Sequence, residues 1–169
     1  MHTLVVTVED KPGVLTRVAS LFRRRGYNIE SLTVGHTHEP GVSHMTLVVD
    51  ADDDTVLRLE ASLYKLVNVL SVENLGRDAI VRDLALVKVR ADAATRGEVV
   101  KLAGVLGARV VDVGTEALVV EMTGTTDEID QLAIALAPFG VVELVRTGSI
   151  AMKKERGEWR RLSMTGTSG

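Results

Sequence analysis

Residues 3–29 read TLVVTVEDKPGVLTRVASLFRRRGYNI, and two apolar periods meet inside that stretch. Leu4, Val6 and Val8 alternate with Thr3, Val5 and Thr7, a period of two that predicts a β-branched strand. Asp10-Lys11-Pro12-Gly13 breaks the run. From there Val14, Leu15, Val18, Leu21 and Phe22 share one face at helical spacing. Arg23, Arg24 and Arg25 close this helix where its dipole favours positive charge, and Gly26 supplies a terminating residue.

Working outward, residues 27–37 and 42–49 read as strands joined at a Glu39-Pro40-Gly41 turn, with a slip between Ile29 and Leu32 that predicts a bulge. Asp52-Asp53-Asp54 opens a second helix with acidic residues where the dipole wants them, and Val56, Leu59, Leu63 and Leu66 form its buried stripe. Residues 67–75 make a fourth strand. Strand, helix, strand, strand, helix, strand is the split βαβ order called ferredoxin-like. It recurs: strands at 80–89, 108–113, 117–122 and 141–149, helices at 95–106 and 127–137, the last stopped before Pro138. Gly26 and Gly107 fall at matching places in the two copies. The expected fold is therefore α+β, two tandem ferredoxin-like βαββαβ domains with antiparallel sheets at residues 1–78 and 79–152. Residues 153–169 are expected to form a basic, flexible tail carrying Lys153, Lys154, Arg156, Arg160 and Arg161. Its Trp159 is expected to pack on its own chain.

Composition removes several function classes. Aromatic residues make up 3% of the 169, too few for the stacking platforms that grip single-stranded nucleic acid. Twenty-three acidic residues against 20 basic ones leave a net charge of −3, which disfavours a phosphate backbone as partner. With no cysteine there are no disulfides, thiolate nucleophiles or cysteine-held zinc. The N-terminal stretch lacks a signal-peptide pattern, and no apolar run reaches the roughly 18–20 residues that span a bilayer. A cytoplasmic protein bound neither to nucleic acid nor to membrane is expected.

The chemistry-bearing stretch is Asp10-Lys11-Pro12-Gly13-Val14-Leu15. A glycine there lets a ligand approach the backbone, and the first amides of the following helix form a site for a small anion such as a carboxylate. Asp10 and the side-chain carbonyl of Asn28 can accept hydrogen bonds from an α-ammonium. Val14, Leu15 and Ile29 can hold an aliphatic side chain. Locally, a plain strand-to-helix turn with Asp10 capping the helix accounts for the same residues.

Resemblance separates the two. Asp10-x-Pro12-Gly13-x-Leu15 between a strand and a helix resembles the motif of ACT domains, small ferredoxin-like modules that sense amino acids. Arg25-Gly26-Tyr27-Asn28-Ile29-Glu30-Ser31-Leu32-Thr33-Val34 is similar to the more specific pattern of the small, regulatory subunits of acetolactate synthase. Leu15-x-Arg17-Val18, Leu21-Phe22, Met45-Thr46, Lys65-Leu66-Val67-x-Val69 and Leu86-Val87-Lys88-Val89 extend the likeness, more strongly in the first half than in the second. The resemblance implies a homodimer formed through the ACT domains and a partner, the catalytic (large) subunit. It implies activation of that transferase and feedback inhibition by valine in branched-chain amino acid synthesis. Its valine site would be Asp10, Lys11, Pro12, Gly13, Val14 and Leu15 of one protomer, faced by Asn28 and Ile29 of the other. Thiamine diphosphate, magnesium and any FAD would belong to the catalytic subunit, with no cofactor on this chain.

Other readings stay open at this level. A stand-alone ACT sensor of another enzyme shares the same loop. An acylphosphatase-type enzyme of this topology would need an arginine in the loop, which has none. An RNA-binding module would need aromatics where Leu4, Val6, Val8 and Thr46 stand. His36, His38 and His44 across a hairpin suggest a metal but lack a clear fourth ligand, so exposed histidines are expected. Asp50, Asp52, Asp53 and Asp54 lack the pattern of a calcium loop, and Ser31, Ser43 and Ser71 have no evident His-Asp partners. In the second half the matching turn, Asp92-Ala93-Ala94-Thr95, has no Pro-Gly, and no equivalent amino-acid site is expected there.

Overall fold

The computed structural model describes residues 1–76 and 78–155. The alternating run forms β1 (His2–Glu9), and the helical run forms α1 (Val14–Arg25). Then follow β2 (Ile29–His36), β3 (Val42–Val49), α2 (Asp53–Tyr64) and β4 (Val69–Asn74). The order β2-β3-β1-β4 is antiparallel throughout, and the expected irregularity falls between Ile29 and Ser31. The second copy runs β5 (Ala79–Arg90), α3 (Arg96–Val105), β6 (Arg109–Val113), β7 (Ala117–Gly124), α4 (Thr126–Leu136) and β8 (Val141–Arg146). Its order is β6-β7-β5-β8. Both halves are ferredoxin-like.

Each sheet buries one face under its two helices. Leu4, Val6, Val8, Met45 and Leu47 meet Val18 and Phe22 of α1 and Val56, Leu59 and Leu63 of α2. Leu15, placed on this face by its spacing, is instead 44% exposed, because it lies on the first turn beyond the edge of that stripe. In the second half Val87, Val89, Leu118 and Val120 meet Val99, Leu132 and Leu136.

Two helices begin on a side chain that satisfies a first-turn amide, and a third is preceded by a turn closed on an aspartate. Asp52 accepts the Thr55 N–H at 2.7 Å, and Thr125 and Glu128 form a reciprocal capping box. Asp92 accepts the amides of Ala94 and Thr95, both at 2.9 Å. Hydrogen bonds from Thr55, Thr95 and Thr125 hold the Asp52, Asp92 and Glu128 carboxyls below their usual range. A carboxyl so depressed adds stability above its unfolded value, about 4, and that stability is lost as pH falls through the lower folded value. The urea midpoint should therefore fall as pH drops from about 5 to about 3. Asp92→Ala should flatten that slope while lowering the midpoint at neutral pH, since the turn ahead of α3 then loses the carboxylate that holds it. An unchanged slope in the variant would remove Asp92 from the set.

The last expected strand, 141–149, divides in two. β8 stops at Arg146, and after a turn through Gly148 the chain forms β9 (Ile150–Lys153), paired antiparallel with the first residues of β5 from Ala79↔Lys153 to Arg82↔Ile150. The physical reason is the length of β5: its 12 residues overrun the second sheet, and the overhang needs a ladder partner. The expected flexible tail therefore does not start at Lys153, which is in a strand. Trp159, Arg156, Arg160 and Arg161 lie outside the described residues. Ala151 is buried with Val81 and Ala79 against Val5 and Leu75. Val5, on the face of β1 opposite Leu4, Val6 and Val8, is thus covered by the second half. Among the described residues no helix is long and apolar enough to cross a membrane.

Candidate amino-acid site

Gly13 stands at the N-terminus of α1 with φ +85°, a left-handed conformation that suits glycine. No side chain caps this helix. The Val14 N–H reaches the Lys11 carbonyl at 3.3 Å and the Arg17 N–H the Gly13 carbonyl at 3.0 Å. Between them the amides of Leu15 and Thr16 take no acceptor among the described residues. They belong to the first turn, which an α-helix cannot satisfy from within. Nothing lies within 4 Å of where a Gly13 Cβ would stand, so the approach to these amides is clear.

Asp10 does not cap α1. Its carboxylate faces His36 Nδ1 at 3.4 Å, both groups exposed. The loop is held from two sides: the Asp10 N–H donates to the Gly41 carbonyl at 2.7 Å, and the Glu9 N–H to the Asn68 carbonyl at 2.8 Å. Asn68, at φ +77°, also donates its side-chain amide to Glu9 and accepts from Arg17 Nη2 at 3.1 Å. Lys11 Nζ lies 2.9 Å from the Glu9 carboxylate, and hydrogen bonds from Lys11 and then Asn68 hold that carboxyl below its usual range. None of this network carried a local signal, since its partners come from the β2–β3 turn and the α2–β4 loop.

Asn28 and Ile29 are elsewhere in the same chain. Ile29 pairs with Val49, and Val49 with His2, so they stand at the end of the sheet opposite Glu9. Eight residues of β1 separate the two ends, about 23 Å at roughly 3.3 Å per residue. One chain therefore does not bring Asn28 to Asp10, and the expectation that both accept from one ammonium fails within a protomer. α1 is the cause, since it runs the length of the sheet between them. Asn28 Nδ2 donates to Glu30 Oε1 at 2.6 Å, which leaves its Oδ1 to act as an acceptor. Val14 is also displaced from its expected role: its side chain is turned into the core, and Leu15 offers the exposed apolar surface.

The equivalent turn of the second half is built differently: Asp92 accepts the Ala94 and Thr95 amides and the Thr95 hydroxyl in the turn just ahead of α3.

A contact missed by the sequence reading joins the halves. Ser149, buried, donates its N–H to Ser31 Oγ at 3.0 Å and accepts at its carbonyl from Thr33 Oγ1 at 2.8 Å. Both hydroxyls lie on one face of β2, the strand that starts at Ile29.

Comparison with known proteins gives the same frame. A family model described as the AHAS small subunit-like ACT domain matches residues 4–71, and one described as the small subunit of acetolactate synthase matches residues 82–155. The chain is 46% identical over 154 residues to the acetolactate synthase small subunit of Mycolicibacterium smegmatis, covering 90% of this chain and 91% of that one. It is 44% identical over 151 residues to a probable acetolactate synthase small subunit of Archaeoglobus fulgidus, covering 89% and 95%. The crystal structure of the Thermotoga maritima small subunit superposes with a TM-score of 0.86 at 36% identity, over 92% of this chain and 98% of that one.

Proposed function

The chain belongs to the acetolactate synthase small-subunit family, and from that premise we propose that it is the non-catalytic subunit that binds valine and imposes feedback inhibition on the catalytic one. The observation that supports this most is the open amide pair of Leu15 and Thr16 beyond a left-handed glycine, where α2 and α4 fill the corresponding place with the side chains of Asp52 and Thr125. An α-carboxylate suits those amides, Asp10 suits an α-ammonium, and Leu15 suits an isopropyl group.

A second copy supplies the missing half. β2 is an edge strand, with β3 on one side only. Two-fold antiparallel pairing of β2 with its copy, centred on the strand, sets Ile29 of one chain opposite His36 of the other. His36 is the residue beside Asp10. Asn28 Oδ1 and Ile29 of the second copy then reach the ammonium and the side chain of a ligand held at the loop. Valine so placed favours whichever dimer arrangement completes its pocket, by its differential affinity, about 1–3 kcal/mol of coupling. Ser31 and Thr33 carry a shift of β2 to the second half through Ser149. Thiamine diphosphate, magnesium and any flavin are assigned to the catalytic subunit.

Calorimetry of the full chain with valine tests the site: one valine per chain is expected, with none bound at the Asp92 turn. Two per chain, or no heat with any aliphatic amino acid, would overturn it. In the same preparation the chain alone should form no acetolactate, and adding it to the catalytic subunit should raise the rate and make it valine-sensitive. A valine-binding chain that leaves the catalytic subunit unaffected would instead fit a sensor of another enzyme.

A further inference from the structure

The β5–β9 ribbon covers only part of the helix-free face of the first sheet. Its Val81–Ala151 pair lies over Val5 and Leu75. Ile80, Ile150 and Met152, on the other side of the ribbon, remain 46%, 59% and 67% exposed. Between these three side chains and the sheet residues Thr33, Gly35 and Thr46 runs a groove of about 540 Å³. That size falls within the range of small-molecule sites, and apolar side chains gathered around a concavity differ from singly scattered ones.

Arg82 is the one formally charged side chain of the lining; His36 and His44 stand with it, and no carboxylate lines the groove. Arg82 Nη1 donates to the neighbouring Val81 carbonyl at 2.7 Å; its charge is felt by the Glu128 carboxylate, but no carboxylate lies within salt-bridge distance of its guanidinium among the described residues. Its remaining donors form a fork matched to a carboxylate. Residues 156–169 carry Arg156, Arg160 and Arg161 against the single acidic Glu158, a balance of the same sign as Arg82, so charge favours a free anion over the chain's own end.

We propose that this groove is a ligand site, separate from the loop at residues 10–15, for a molecule with an aliphatic chain and one carboxylate. The chain lies against Ile80, Ile150 and Met152, and the carboxylate is held by Arg82. His36 lines the groove and also faces Asp10 at 3.4 Å, so an occupant there touches a residue that the amino-acid loop uses.

Octanoate is a suitable probe, with the isoleucine and methionine methyls of the full-length protein followed by NMR. Saturating shifts are expected at Ile80, Ile150 and Met152. 1-Octanol, the same chain without charge, should bind about tenfold more weakly, and Arg82→Gln should weaken octanoate by about the same factor, the size of one charge-assisted hydrogen bond. Gly13→Asp should leave octanoate binding unchanged, so failure here and failure of the valine site are distinguishable. Equal binding of octanol and octanoate, shifts scattered over the surface, or no saturation would each overturn the proposal. So would a groove filled by residues 156–169, seen as methyl shifts on deleting them with no octanoate response in the full chain.

Discussion

Gly13→Asp is expected to abolish valine binding and with it feedback inhibition, while the protein still folds. Space is not the obstacle, since a Cβ at Gly13 would meet nothing within 4 Å. The φ of +85° costs an L-residue about 1–2 kcal/mol, and aspartate is among the residues that tolerate it best. The decisive effect is chemical. The new carboxylate stands beside the Leu15 and Thr16 amides, as Asp52 stands beside the Thr55 amide at α2. It competes for the position of the ligand's own carboxylate and repels it. Calorimetry should show at least about a 100-fold loss of valine affinity, near 2.7 kcal/mol. Gly13→Asn imposes the same backbone strain without the charge and should lose much less. A Gly13→Asp holoenzyme inhibited at the original valine concentration would remove the loop from the site.

Gly148→Val should separate binding from inhibition. Gly148 has φ +82°, and a Cβ there would stand 2.6 Å from Ser31 Oγ and 3.3 Å from Thr33 Oγ1. Both hydroxyls are hydrogen-bonded to Ser149, so valine at 148 must lift that residue off β2. The strain of about 1–2 kcal/mol and two lost hydrogen bonds of about 1 kcal/mol each give roughly 3–4 kcal/mol against the contact between the halves. The loop proposed for valine lies in the first half and keeps its geometry, so affinity should stay within about threefold. Inhibition by saturating valine should be largely relieved, and the Ser149 amide should exchange faster. Ser31→Ala with Gly148→Ala removes the nearest obstruction and should recover part of the coupling. Full inhibition in Gly148→Val, with Ser149 demonstrably released, would place the relay elsewhere.

These two predictions draw on features of different visibility. Gly13 stands out in the sequence because Pro12-Gly13 interrupts a strand just before a helical period begins. Ser31, Thr33 and Ser149 give no such sign: nearly 120 residues separate the hydroxyls from the backbone they bind. Serine and threonine on the outward face of an edge strand usually signify only contact with water. β9 was half visible. Ile150-Ala151-Met152 after Gly148 is a short apolar run, but three residues do not distinguish a strand from a continuing loop. Only the overhang of β5 makes it one.

Periodicity and turn chemistry were enough for the repeated strand and helix order, the helix-facing cores and the glycine turn ahead of α1, because each depends on residues within a few positions of one another. Tertiary structure alone decided that Asp10 faces His36 instead of capping α1, that Val5 is covered, and that Asn28 and Asp10 lie at opposite ends of one sheet. Those outcomes follow from how α1 spans the sheet and where β5 outruns it, distances set by packing whole elements together and not by any local run of side chains.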